Sequence, residues 1–255
     1  MSLGLGTDTA QLDAARLYDL FHQGKDYDAD ARRIRDLLVS HGVSRGRILE
    51  GACGTGSYLG PLSKHYQVLG FDADPVMVQA AQLRMPRAQI WEGDLRDFEL
   101  RPPVHATLML FGALCYLSLS QVRSAAQCMH RALRPGGLAL VEPWVGPGEF
   151  VGGEPHMAVI DRPSLKVVRQ VVTRREAGLA HVDFHYLVAQ SDLPVQHLVD
   201  ANTLHLHLRE ALLEAVLSGG FVLEAQVDGL MAGSPLWVLR AAEPLSVGGS
   251  SHDRI

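Results

Sequence analysis

Between residues 47 and 142 the sequence alternates short apolar runs with amphipathic stretches of helical spacing, and this alternation restricts the fold more than any other feature. The apolar runs cover residues 47–50, 67–71, 89–92, 106–110 and 138–142, and helices are expected to start at Tyr58, Pro75 and Ser120. Parallel strands need crossover connections, and helices used as crossovers cover both faces of a sheet. The pattern therefore predicts a doubly wound, mostly parallel α/β core of Rossmann-like type. A helix over 28–41, with Ala31, Ile34, Leu37 and Leu38 on one face, packs on that core and stops before Gly42. Near the other end, 209–218 reads as a helix stopped by Gly219-Gly220, and 221–227 and 236–241 read as a closing antiparallel pair that brings the sheet to seven strands.

After Pro143 the pattern changes. Residues 166–173 and 181–189 are Val-rich and alternating, joined by a turn at Glu176-Ala177-Gly178, and 204–208 reads as a further strand. This is an antiparallel insertion. The expected organisation is a core of residues 28–143 plus 209–242, an insertion of 144–208 acting as a substrate-facing lid, and a Gly/Ser-rich tail over 243–255.

Charge and cysteine content narrow the partners. The net charge is −5 and no Lys/Arg-rich block is present, so the electrostatic footprint of a nucleic-acid binder is missing. No run of about 18 apolar residues exists, and the first residues carry no basic-plus-apolar leader, so neither a membrane partner nor export is expected. Cys53, Cys115 and Cys128 form no CxxC pair and read as reduced thiols, which places the chain in the cytoplasm. A small-molecule substrate is the expected partner, with a homodimer as the oligomeric form to consider.

Directly after the first apolar run comes Gly51-Ala52-Cys53-Gly54-Thr55-Gly56, followed by a helix. Glycines there let the backbone turn sharply and let a ligand approach without meeting a Cβ atom. Asp72 ends the next run, where a carboxylate can accept hydrogen bonds from two ribose hydroxyls. Glu50 decides which nucleoside fits. In a dinucleotide site the adjoining helix N-terminus faces a pyrophosphate, which a carboxylate would repel. S-adenosylmethionine carries an ammonium and a sulfonium and no phosphate, so Glu50 suits it and opposes NAD.

At this point the chain resembles class I S-adenosylmethionine-dependent methyltransferases over nearly all its length. EGACGTG (50–56) resembles their motif I, GFD (70–72) motif II, EGDLRDF (92–98) motif III and LRPGGLALVEPW (133–144) the segment entering the fifth strand. More narrowly, YDLFHQGKDY (18–27), EPWVGPGEF (142–150) and VDFHYLV (182–188) resemble the N,N-dimethyltransferases of nucleotide-linked amino sugars in antibiotic biosynthesis. The resemblance implies S-adenosylmethionine as cofactor. It implies that Asp94 holds the adenine amino group, that Met77 and Leu95 pack on the ring, and that Phe111 borders the cofactor. It implies too that residues 1–27 cover the site, with Tyr18 and Tyr27 closing over the methionine end. Gly51, Ala52, Gly54 and Gly56 of the loop, Ala73 beside Asp72 and Gly93 beside Asp94 complete the expected contacts.

Methyl transfer from a sulfonium is an in-line displacement, and holding the reactants in line supplies an effective molarity on the order of 10⁵ to 10⁸ M, so no nucleophilic side chain is required. An amine acceptor must still be unprotonated, so a nearby base helps. The amino-sugar enzymes carry a His after the fourth strand. Here FGALCYL (111–117) puts Tyr116 at that position, and a phenol is a poor base at neutral pH. His185 is the expected substitute base: His181, Asp183 and His185 share one face of a strand, with Val182, Phe184 and Tyr186 on the other. His22 is expected near the site entrance, and Cys115 is a further candidate by location. No metal is expected, although alternate histidines, with His205 and His207 on a neighbouring strand, are an arrangement that can converge on an ion. The acceptor expected is a small amine such as an amino sugar. The alternatives are O-methylation and, without acceptor chemistry, a protein that only binds S-adenosylmethionine.

Overall fold

The computed structural model describes residues 12–242. The expected tail over 243–255 and the first eleven residues of the expected cover lie outside them. The strands are β1 (Arg47–Gly51), β2 (Gln67–Asp72), β3 (Gln89–Glu92), β4 (Val104–Met109), β5 (Leu133–Val141), β6 (Pro155–Arg162), β7 (Leu165–Glu176), β8 (Leu179–Gln190), β9 (Gln196–His205), β10 (Phe221–Asp228) and β11 (Pro235–Ala241). The helices are α1 (Ala14–His22), α2 (Tyr27–Ser40), α3 (Leu59–Leu62), α4 (Pro75–Arg84), α5 (Leu119–Ala132) and α6 (Arg209–Leu217).

Seven strands form one sheet in the order β10-β11-β5-β4-β1-β2-β3, and four form a second in the order β6-β7-β8-β9. In the first sheet β1 to β5 pair in parallel, while β11 runs antiparallel to both β5 and β10. Successive side chains of a strand point to opposite faces, so each central strand feeds two cores. Ile48, Leu138 and Leu140 pack with α2 and α3 on one side. Leu49, Ala139 and Val141 pack with α5 and α6 on the other. The order reverses between β4 and β1, and the carboxyl ends of these strands carry the loops that form the site, as open α/β sheets require at a switch point.

The insertion departs from expectation in detail. The turn is a two-residue Ala177-Gly178 hairpin, both residues at positive φ (46° and 83°), which matches the twist of the flanking strands. The expected strand over 204–208 is instead the end of β9, which stops at His205; Leu206 donates its N–H to Gly178 and Leu208 is already the N-cap of α6. Residues 155–162 form β6, an edge strand with no alternating apolar signature. The inner face of this second sheet packs on Leu17 and Phe21 of α1 at one end. At the other it packs on Cys115, in a 3-10 turn over Ala113–Tyr116. The gap between these two contacts is a cavity.

Candidate active site

The cavity has a volume of ≈ 830 Å³ and lies between the carboxyl edge of the first sheet and the inner face of the second. Ligand pockets of roughly 300 to 1,000 Å³ are usual for one small molecule, so this one is large enough for a nucleoside plus part of an acceptor.

The glycine loop forms its floor. Ala52 and Gly54 sit at positive φ (52° each), and a Cβ on Gly54 would meet nothing within 4 Å, so the cavity reaches the backbone itself there. Gly51 and Gly56 do not line it, a correction to their expected role. A Cβ at Gly51 would lie 2.6 Å from the Met109 methyl and 2.7 Å from Leu95, and one at Gly56 would lie 3.3 Å from Ala81. Gly51 serves packing behind the loop, and Gly56, at φ 75°, serves the turn itself as well as its close packing on Ala81.

Asp72 reaches this loop from the end of β2. One carboxylate oxygen accepts the Gly54 N–H at 2.8 Å and the other accepts the Asp74 N–H at 2.9 Å, which fixes the carboxylate while leaving a lone pair on each oxygen. Burial raises its pKa despite these two bonds. Glu50, beside it, is 3% exposed and its Oε2 has no hydrogen-bond partner. Burial, then the Asp72 charge, raises its pKa well above the usual carboxylate range. An unpartnered buried carboxylate costs free energy unless a donor arrives. A ligand ammonium supplies one, and a pyrophosphate would not. The residues present therefore fit the methionine end of S-adenosylmethionine.

Other expected contacts fall around the same cavity: Ala73, Met77, Gly93, Asp94 and Leu95 on one side, and Tyr18, Tyr27 and Phe111 on the other. Asp94 is paired with Arg96, whose guanidinium lowers the carboxyl pKa; Nε donates to its two oxygens at 2.8 and 2.9 Å. Phe111 adopts positive φ (54°), held by its N–H donating to Glu142 at 2.9 Å. Tyr18 stacks on His22 with ring centroids 4.1 Å apart, and burial raises its pKa. His22 Nδ1 is 2.8 Å from the Tyr18 carbonyl, which only accepts, so Nδ1 carries the proton. Burial lowers the His22 pKa, so Nε2 of the neutral ring is an acceptor. Asp19 latches α1 over the loop: its carboxylate accepts the Thr55 hydroxyl at 2.6 Å and pairs with Arg84 at 2.5 Å.

Tyr116 stands in the cavity, 58% exposed, and donates its hydroxyl to Asn202 Oδ1 at 3.3 Å. Partial desolvation inside the cavity, then repulsion from the nearby Cys115, Asp200 and Asp72, raises the pKa of its hydroxyl, so it remains a donor and is a poor general base at neutral pH. Burial likewise pushes the Cys115 thiol up to about 12. His185 does not reach the site. Val182, Phe184 and Tyr186 face the cavity, while His185 stacks on His197 on the outer face, Nδ1 to Nε2 3.1 Å. The expected base is thus corrected: parity along β8 puts it on the wrong side of the sheet. Among the described residues no three His, Cys, Asp or Glu side chains converge as metal ligands, and His205 stacks on His207 instead.

The inner wall also carries polar groups that the sequence reading passed over: Arg169 on β7, and Asp200 and Asn202 on β9. The pairing Val171↔Phe184↔Asp200, with Thr173↔Val182↔Asn202 two residues on, lines these strands up facing the loop. Alternation of Leu198, Asp200 and Asn202 was the available signal, hidden because those residues are mostly polar.

A sheet of this order, with a glycine loop after its first strand and carboxylates ending its first two strands over one cavity, forms an open α/β nucleoside site whose Glu50 suits a ligand cation rather than a pyrophosphate. Residues 48–137 match the family model described as Methyltransferase domain. The chain is 32% identical over 232 residues to the dTDP-3-amino-3,4,6-trideoxy-alpha-D-glucopyranose N,N-dimethyltransferase of Streptomyces venezuelae, an alignment spanning 89% of this chain and 98% of the relative. It is 30% identical over 219 residues to the dTDP-3-amino-3,6-dideoxy-alpha-D-glucopyranose N,N-dimethyltransferase of Streptomyces fradiae, spanning 84% and 86%. The crystal structure of Streptomyces venezuelae DesVI superposes with a TM-score of 0.83 at 30% identity, covering 92% of this chain and all (100%) of that one. The sugar N-methyltransferase KedS8 from Streptoalloteichus sp. ATCC 53650 superposes with a TM-score of 0.83 at 27% identity, covering 95% and 100%. The chain belongs to the S-adenosylmethionine-dependent methyltransferases, in the branch of the amino-sugar N,N-dimethyltransferases. It is an enzyme that uses S-adenosylmethionine to methylate a small molecule.

Proposed function

We propose that the acceptor is a nucleotide-linked amino sugar and that the enzyme methylates its amine. The observation that carries this reading is the inner wall of the second sheet. It presents a cation, Arg169, and an anion, Asp200, on one face, with the stacked rings of Phe184 and Tyr186 on the same wall. A nucleotide-linked amino sugar carries the complementary pair, a diphosphate and an amine. Arg169 lies over the rings of Phe21 and Phe184, 4.3 and 5.3 Å from their centroids, and hydrogen-bonds the Tyr186 side chain, which holds its guanidinium on the cavity wall as a fixed positive charge for an anion. The relatives named above act on dTDP-linked amino sugars.

When bound, S-adenosylmethionine supplies a methyl group on a positive sulfonium. The chain's own contribution is positioning. Glu50 accepts from the ligand ammonium, Asp72 from the ribose hydroxyls, and Phe111, held by Glu142, walls the methionine end. The latch of Asp19 on Thr55 and Arg84 keeps α1 closed over both reactants and excludes water. A neutral His22 stands beside them as a hydrogen-bond acceptor.

The test is incubation of the purified enzyme with S-adenosylmethionine and, in turn, the 3-amino-3,4,6-trideoxy, 3-amino-3,6-dideoxy and 4-amino-2,3,4,6-tetradeoxy dTDP-sugars of the relatives, with product masses read by mass spectrometry. Mono- and dimethylated sugar nucleotide is the expected result. Methylation of none of them, by an enzyme that binds S-adenosylhomocysteine, overturns the reading.

A further inference from the structure

Resting on the amino-sugar reading, the geometry points to Asp200 as the residue that makes this enzyme specific for a nitrogen acceptor. Three side chains along one edge of the cavity form a directed chain: the Tyr116 hydroxyl donates to Asn202 Oδ1 at 3.3 Å, and Asn202 Nδ2 donates to Asp200 Oδ1 at 3.0 Å. Every hydrogen of the chain points toward Asp200. Asp200 lines the cavity at its solvent-exposed edge, and among the described residues no Lys, Arg or His pairs with its carboxylate. Arg169, the cation on the same face, sits two strands away over Phe21 and Phe184.

The chemistry of the step favours an anion at this place. As the acceptor's lone pair forms the N–C bond, the C–S bond breaks, and the positive charge passes from sulfur to nitrogen. The products are a neutral thioether and a substituted ammonium, whose extra proton leaves to solvent before a second methylation. A fixed carboxylate beside the nitrogen therefore interacts more strongly after charge arrives than before, which is the condition for lowering a barrier. An alcohol differs. It must lose its proton as the O–C bond forms, so the positive charge leaves with that proton and the product is a neutral ether, which a carboxylate does not favour. Asp200 thus rewards an amine and does little for a hydroxyl. It also accounts for the departure at Tyr116, whose hydroxyl is committed as a donor to Asn202 and holds the wall in place.

The experiment compares wild type, Asp200→Asn and Asp200→Glu, using the dTDP-linked amino sugar that the wild type turns over and the same sugar nucleotide with a hydroxyl in place of the amine as a competitive inhibitor. S-adenosylhomocysteine affinity is measured in parallel by calorimetry. Asp200→Asn, which keeps the shape, is expected to lower kcat/KM for the amine by roughly 10- to 100-fold, the worth of a hydrogen bond to a charged group. The Ki of the hydroxyl analogue and the affinity for S-adenosylhomocysteine should stay within about threefold, and Asp200→Glu should restore part of the lost rate. An amine kcat/KM within about threefold of wild type, or an equal loss in the Ki of the hydroxyl analogue, overturns the assignment. A wild type that methylates no amino sugar fails at the earlier step and takes this inference with it, an outcome distinguished by the inactivity of the unmutated enzyme.

Discussion

Glu142→Gln should loosen the site without touching a ligand. Glu142 is fully buried at the end of β5, and its carboxylate accepts three backbone N–H groups: Phe111 at 2.9 Å on one oxygen, and Met231 at 2.7 Å with Leu230 on the other. An amide has one accepting oxygen. It best serves Leu230 and Met231, which leaves its NH₂ facing the Phe111 N–H. One bond to a charged acceptor, worth about 1.5 to 3 kcal/mol, is lost and a buried donor is left unsatisfied at a cost of about 1 to 3 kcal/mol. Removing the buried charge recovers part of this, so the net loss should be about 2 to 4 kcal/mol. For a domain of this size each kcal/mol shifts Tm by roughly 2 to 4 °C, so a fall of roughly 5 to 15 °C is expected in differential scanning calorimetry. Because Phe111 is held at positive φ by that bond, affinity for S-adenosylhomocysteine should fall as well. A stability loss under about 1 kcal/mol, with unchanged affinity, would refute the reasoning.

Two further substitutions test neighbouring groups. Burial and Asp72 raise the Glu50 pKa, so above the usual carboxylate pKa of about 4.3 the ligand-free folded chain binds more protons than the unfolded chain, and stability falls with pH by up to about 1.4 kcal/mol per unit until the folded pKa is passed. Glu50→Gln removes that loss: its Tm advantage over wild type should grow with pH from acid to neutral while S-adenosylhomocysteine binds more weakly, and a pH-independent Tm difference contradicts the assignment. Tyr116→Phe keeps the ring and loses only the bond to Asn202, so it should retain most of the activity; a fall in kcat greater than about 10²-fold, the low end of what a general base contributes, would show that the phenol moves a proton.

What could be read from the sequence, and what could not, divides along the range of the interactions. The cofactor half of the cavity is made of local features. Glu50, the glycine loop and Asp72 lie at strand ends, and the alternation of strand and helix places those ends on one edge. The acceptor half depends on pairing between distant strands. Asp200 and Asn202 reach the cavity because β9 pairs with β8 and β8 with β7 in one register, which no local pattern announces. The two faces of β8 are separable by parity, although its outer face carries one exposed apolar residue, Leu187 at 51%. Val182, Phe184, Tyr186 and Val188 mark the face that meets the core, and His185 lies on the opposite one; a base expected there answers a chemical need that the hydrophobic pattern does not support. Gly51 teaches the converse: a motif glycine near a ligand loop serves the packing behind it as readily as the ligand in front.

The most direct test of the account is calorimetric titration of S-adenosylhomocysteine and of NAD into the wild type and into Asp72→Ala. The orphaned Glu50 carboxylate and the Asp72 oxygens fixed by Gly54 and Asp74 predict that S-adenosylhomocysteine binds the wild type, that Asp72→Ala weakens it by about 1.5 to 3 kcal/mol, and that NAD gives no saturable heat. Saturable NAD binding, or the same S-adenosylhomocysteine affinity in Asp72→Ala as in the wild type, would contradict it.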